Sequence, residues 1–164
     1  MSAKTIERDT GYRRILKTLA GLRSKPYVKI GVTEKSDDRD DGADNFIVAV
    51  CNEFGTSIKA GRSGGQIILI PERSFIRSNH DENQNKYQKR VKEYKDQILA
   101  GRMTTDEALK KIGLEVQRDV RKKIVDIKEP PNAPATIARK KSENPLVDTG
   151  QLIGAIDYEI NRER

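Results

Sequence analysis

The side chains that could do chemistry are few and scattered. One cysteine, Cys51, and one histidine, His80, serve all 164 residues. They cannot supply an internal disulfide, a zinc site or a histidine pair. His80 lies in the polar run SNHDENQN, where a solvated imidazole is expected. General acid and base work needs two carboxyl groups that converge. Glu53, Glu72 and Asp148 are the candidates, and nothing in their spacing demands convergence. The acidic segment EKSDDRDDGADN invites a calcium-loop reading. Setting Gly42 at the invariant glycine puts Asp37 first and Asp41 fifth, but leaves Arg39 at the third ligand position and Val48 where a bidentate glutamate belongs. A solvated loop over Asp37 to Asp44 is the better reading. The glycine-rich GRSGG follows no expected strand and lacks the Gly-Lys-Ser/Thr ending of a phosphate cradle. No catalytic, cofactor-binding or metal-binding residue is therefore expected.

Cations offer a second chemistry. Lys and Arg number 32 against 25 Asp and Glu, a net charge of +7, which suits nucleic acid or an acidic protein surface. Lys110, Lys111, Arg118, Arg121, Lys122 and Lys123 fall on one side of a helical segment, and Arg139, Lys140 and Lys141 form a second cluster. Aromatic residues able to stack on bases are only 5% of the chain, so non-specific contact with a phosphate backbone is the most these clusters imply. The abundance of both signs fits a solvated helical surface better, and that is the leading reading of the charge. Arg73 and Arg77 stand one helical turn apart, within reach of Glu72, Asp148 or a neighbouring subunit.

The elements that must position these groups follow from periodicity. Tyr12, Ile15, Leu16, Leu19 and Leu22 recur at helical spacing, with Arg13, Arg14 and Lys17 on the wet side. Val28, Ile30 and Val32 alternate as a strand. Phe46, Ile47, Val50 and Phe54 make a short helix capped by Asp44 or Asn45 and ended by Gly55. Ser57 to Gly65 reads as a mobile connector, and Ile67 to Ile70 as a buried strand ended by Pro71. Ser74 is the expected cap of a long helix to about Ala100, with Tyr87, Val91, Tyr94 and Ile98 on one face. Its polar start must be exposed or packed on another chain. Thr104 or Thr105 caps a second long helix carrying Leu109, Ile112, Val116, Val120, Ile124 and Ile127 on one face. Ile156, Tyr158 and Ile160 alternate with Asp157 and Glu159 as a final strand.

Between those last two elements lies PPNAPATIARKKSENPLVDTGQL (130 to 152). Its prolines stiffen it, Thr136 can cap one helical turn, and Asp148 or Thr149 can cap another carrying Leu152 and Ile153. A loop this long with its own caps is usually functional. The expected fold is α+β: a small mixed or antiparallel sheet packed by two long helices and shorter ones, with a long structured proline-rich loop. Residues 1–10 read as a flexible arm and 11–164 as a single domain. Apolar residues are 35% of the chain, so the core is modest, with Phe54 and Phe75 as its expected anchors. MSAKTIERDT lacks an apolar signal core and no run reaches membrane-spanning length, so the expected setting is in solution, without a membrane.

The ordered motifs VKIGV (28 to 32), VAVCNEFGT (48 to 56), IPERSFIR (70 to 77), ALKKIG (108 to 113), PPNAPATIARK (130 to 140) and PLVDTGQL (145 to 152) resemble the tail-completion, or neck, proteins of tailed bacteriophages. These are also described as minor tail components and virion morphogenesis proteins. The resemblance covers nearly all of the chain after Tyr27. It implies a non-enzymatic virion protein at the head–tail junction, made in the host cytoplasm. It also implies a ring of its own copies, six by the usual tail symmetry, that joins the tail to the head connector. The neighbours it implies are a tail terminator or a head-closure protein. Carried over by position, Asn52, Glu53, Phe54 and Gly55 form a helix end and turn. Pro71, Arg73, Phe75 and Arg77 lead from strand to long helix, and Pro145, Leu146, Asp148, Thr149 and Gly150 form the turn before the last strand. Ser74 stands where members of the family often have a second proline. A basic DNA-binding accessory protein of phage assembly is the alternative, and a hydrolase built on a carboxylate pair a weaker third.

Overall fold

The computed structural model describes residues 11–22, 24–33, 42, 44–59, 65 and 67–163. The expected arm at 1–10, most of the Asp37 to Asp44 loop and residues 60–64 lie outside them, as do the side chains of Arg14, Leu19 and Leu22. In chain order the elements are α1 (Tyr12–Leu22), β1 (Pro26–Val32), α2 (Asn45–Phe54), β2 (Thr56–Lys59), β3 (Ile67–Ile70), α3 (Ile76–Leu99), α4 (Thr105–Asp126), α5 (Pro134–Lys140), α6 (Gln151–Ala155) and β4 (Ile156–Arg162). This is the α+β class, with one difference from expectation: the strands form two separate antiparallel pairs, β1–β4 and β2–β3.

The β1–β4 pair brings together the two ends of the described chain. Its register sets Val28 opposite Ile160, Ile30 opposite Tyr158 and Val32 opposite Ile156, so the alternating apolar residues share one face. On the other face Lys29 stands opposite Glu159. The apolar face lies on α4, and α4 in turn packs along α3. Phe75, Val120, Ile124 and Ile156 are the largest fully enclosed side chains. Around them gather Ala49, Leu146 and Leu152, with Ile30, Val32, Ile76, Val116, Ile127, Val147 and Ile153 at the margin. Each enclosed large side chain contributes about 1.5–3 kcal/mol.

α4 is fixed at its start by a reciprocal cap. The Thr104 hydroxyl accepts from the Glu107 amide while the Glu107 carboxylate accepts from the Thr104 amide. Near its middle, Gly113 lets β4 come close: a Cβ there would stand 2.4 Å from a ring carbon of Tyr158. A polar seam joins α3 to α4. Tyr87 Oη donates to Asp119 at 3.1 Å and accepts from Asn79 Nδ2 at 3.0 Å, and Lys86 Nζ bonds the same Asp119 carboxylate. Burial, opposed by the Asn79 bond and helped by the Asp119 charge, pushes the Tyr87 hydroxyl up to about 12.

Several expectations are corrected. Ser57 to Lys59 is strand β2, not connector, so GRSGG does follow a strand, though still without the Gly-Lys-Ser/Thr ending. Ile67, Ile68 and Leu69 are not buried: in a two-stranded ribbon separate from the β1–β4 pair they stay 64%, 45% and 74% exposed. Val91 points to solvent while Tyr87 on the same stripe is buried. The polar start of α3 is not wholly wet either, because Asn79 is buried beneath Tyr87. Thr136 does not cap α5, which starts two residues earlier with Pro134 at its first position and Ala133 as cap residue. Neither Asp148 nor Thr149 caps α6; Gly150 does, at φ 83°, with no side-chain bond.

Candidate functional site

The motif residues converge on the junction where α2, β3 and α3 meet. At its centre is Glu53, in the last turn of α2 and only 4% exposed. Its helix presents Asn45, Ala49 and Glu53 inward at four-residue spacing. The start of α3 lies against this carboxylate, which accepts from the amides of Phe75 at 2.8 Å, Ile76 at 2.9 Å and Arg77 at 3.0 Å, and from Ser74 Oγ at 2.7 Å. The first amides of any helix lack partners within it and carry its positive end. Glu53 therefore caps α3 from a different helix. This replaces the expected Ser74 cap: Ser74 Oγ accepts from Ser78 N at 3.2 Å, but the helix starts only at Ile76. Burial alone would raise the Glu53 pKa. The bonds from Ile76, Arg77, Ser74 and Phe75 outweigh that and hold it below the ordinary carboxylate value.

Arg77 closes the junction from outside. Its Nε lies 3.2 Å from Glu53, and its terminal nitrogen bonds both the Glu53 carbonyl at 2.8 Å and Glu72 at 2.7 Å. The guanidinium also covers the Phe54 ring, 4.5 Å from its centroid. Phe54 is thus no core anchor: it is 58% exposed, whereas Phe75 is fully enclosed. Gly55, at φ 68°, starts the return into β2, and a Cβ there would stand 2.8 Å from the Glu72 amide. The carbonyl of Asn52 accepts from the Arg73 amide at 2.7 Å, locking α2 to the segment after β3.

Arg73 carries the junction to the proline-rich loop. Its guanidinium is buried and, among the described residues, meets no carboxylate; it donates to the carbonyls of Pro130 at 2.7 Å and Pro131 at 3.0 Å, the pair that follows a cis Glu129–Pro130 bond. Burial lowers its pKa. The expectation that Arg73 reaches Glu72 or Asp148 is corrected: it clamps the backbone of the loop instead. Further along, Lys140 Nζ donates to the Asn144 and Pro145 carbonyls at 3.4 and 3.1 Å, and Asn144 Oδ1 accepts from the amides of Leu146 and Val147. Pro145 and Leu146 are buried, whereas Asp148 and Thr149 are exposed beside Gly150. Pro71, half-buried, ends β3.

The expected basic face of α4 is largely tied down. Arg121 donates to the Ile156 carbonyl at 2.7 Å, anchoring β4. Arg118 meets Asp119, Lys122 meets Asp126 and Lys123 meets Glu82. Lys110 and Lys111 stay exposed, close enough to Glu107 to lower its pKa alongside the stronger Thr104 bonds. Arg139 and Lys141 are exposed, and Lys141 ends α5 in the left-handed region.

Sequence reasoning placed Glu53, Arg73 and Arg77 among the motif residues but missed that one carboxylate caps a separate helix. The helical step of four from Asn45 through Ala49 to Glu53, on a helix with no internal cation, was the available signal. A hollow of about 360 Å³ beside β1 is lined by Lys29, Ile30, Gly31, Val32, Thr33 and Glu159. It presents mainly a strand edge, not a converged set of reactive groups. Among the described residues no group of three or more His, Cys, Asp or Glu could hold a metal ion. No known protein family, curated protein or solved structure matches the chain.

Proposed function

We propose that this chain is a structural component of a tailed-phage virion, a tail-completion or neck protein that joins the tail to the head connector as a ring of its own copies. Six copies is the number that the resemblance implies. The observation that carries this reading is the meeting of motifs far apart in sequence. NEFGT, IPERSFIR and the loop opened by Pro130 and Pro131 join through Glu53, Arg73 and Arg77. Glu53 and Arg77 hold each other, and Arg73 holds the backbone of the loop, so the charged groups serve to join the motifs. A hydrolase would instead keep a carboxylate free to meet water or substrate, and Glu53 is fully engaged. The DNA-binding alternative draws less support, since the cations of α4 largely hold partners or backbone.

Deleting the gene in a producing phage tests the reading. The expected outcome is full heads and completed tails that do not join, restored by adding the purified protein, which forms rings in negative stain. Infectious particles assembled without it, or turnover of a substrate by the isolated chain, would overturn the proposal.

A further inference from the structure

Ile124 and Pro145 are buried, yet every residue in 128–144 is half-buried or exposed. None of them belongs to the core cluster or packs against it, and α5 has no buried side chain. The loop closes on itself instead. Asn132 Nδ2 donates to the Pro145 carbonyl at 3.4 Å and Lys140 Nζ to the same carbonyl at 3.1 Å. Residues 130–145 thus have the close ends and self-made contacts of an Ω-loop. The backbone bonds from the amides of Thr136, Ile137 and Lys141 all end on carbonyls within it. With only seven residues, α5 is too short to persist alone in water, so it depends on the closed loop.

Ties to the body are gathered at the base. Asn144 Nδ2 and Lys128 Nζ donate to the Val125 carbonyl at 2.8 and 3.0 Å. Among the described residues, Arg73 is the one donor to the loop from outside residues 125–145, through the Pro130 and Pro131 carbonyls. Its own amide is held by the Asn52 carbonyl, so one residue joins the loop to the end of α2. We infer that residues 130–144 open as one unit while the core stays folded, and that Arg73 is the latch. A segment that buries little apolar surface and keeps its bonds to itself opens well below the free energy of global unfolding. Closed, the loop encloses Arg73, which is 5% exposed; open, it uncovers a guanidinium where α2, β3 and α3 meet. The device operates whether or not the chain builds a ring.

Native-state hydrogen exchange on the full chain tests this, with circular dichroism to confirm folding. The amides of Ile137 and Lys141 should exchange together, at least about a hundredfold faster than those of Val120 and Ile124 in α4. Ile124→Val weakens the core alone. It should speed the α4 amides about fivefold and leave Ile137 and Lys141 unchanged, because the loop opens without the core. Arg73→Lys lacks the planar fork that holds two carbonyls and should speed Ile137 and Lys141 at least about tenfold. If that variant does not fold, phenylglyoxal labelling of the parent and of Ile124→Val replaces it: Arg73 should react at the same rate in both. Loop amides that rise with the α4 amides in Ile124→Val show opening only by global unfolding and overturn the inference. Loop exchange unchanged in a folded Arg73→Lys chain, or Arg73 labelling that rises in Ile124→Val, removes Arg73 as the latch and overturns it as well.

Discussion

Glu53 does at one position what a local cap usually does, and its removal should be felt accordingly. Glu53→Gln leaves the amides of Phe75, Ile76 and Arg77 sharing a weaker acceptor and is expected to cost about 2–3 kcal/mol, read by urea unfolding. The pH dependence has a definite sign. The folded pKa lies below the ordinary 4.5, so the stabilisation is present above that value and is lost as pH falls through the folded one. The gap in melting temperature between parent and Glu53→Gln should therefore be widest near neutrality and close in acid. Two glycines make a second pair of expectations. Gly55→Ala meets backbone atoms at 2.8 and 3.1 Å in a φ-positive conformation, and should cost about 2–4 kcal/mol with no neighbour able to yield. Gly113→Ala meets only the Tyr158 ring. It should cost about 1–2 kcal/mol in the parent, yet stabilise a Tyr158→Ala background, where the better helix propensity of alanine prevails.

At the level of elements, the chain was legible wherever apolar spacing and local caps agreed. The Thr104–Glu107 capping box starts α4 where its spacing indicates, and Thr104→Ala should lower stability by about 1 kcal/mol in thermal melts. β1 and β4 follow their alternation, and Asp44 caps α2 through the amides of Phe46 and Ile47. What could not be read depended on neighbours distant in the chain. Apolar spacing says that Phe46, Val50 and Phe54 share a face, but not whether that face meets this chain or another. The IILI run has the composition of a core strand, and only the separation into two sheets leaves it uncovered. The Glu53 cap was hidden because its donors lie some twenty residues away on another helix, and the Arg73 clamp because its acceptors are carbonyls, which no side-chain pattern reveals.

For the whole molecule, net charge overstates what is available to a polyanion. Lys110→Ala with Lys111→Ala should leave stability within about 0.5 kcal/mol and remove most residual binding to duplex DNA. Arg121→Ala should instead destabilise the fold by about 1–2 kcal/mol, since its acceptor is the Ile156 carbonyl of β4. Gel shifts of the parent should fade by physiological salt, as few phosphates are neutralised; tight retention there would favour the DNA-binding alternative. A last consequence comes from the pairing of Pro26 with Arg162 and Val32 with Ile156. During synthesis β1 emerges early, but its only described strand partner is made after α2, α3 and α4. The sheet beneath the core must then close late, through a large and slow loop search. Until residues 156–162 are made, the β1 segment has no partner among the described strands with which to complete its backbone hydrogen bonds.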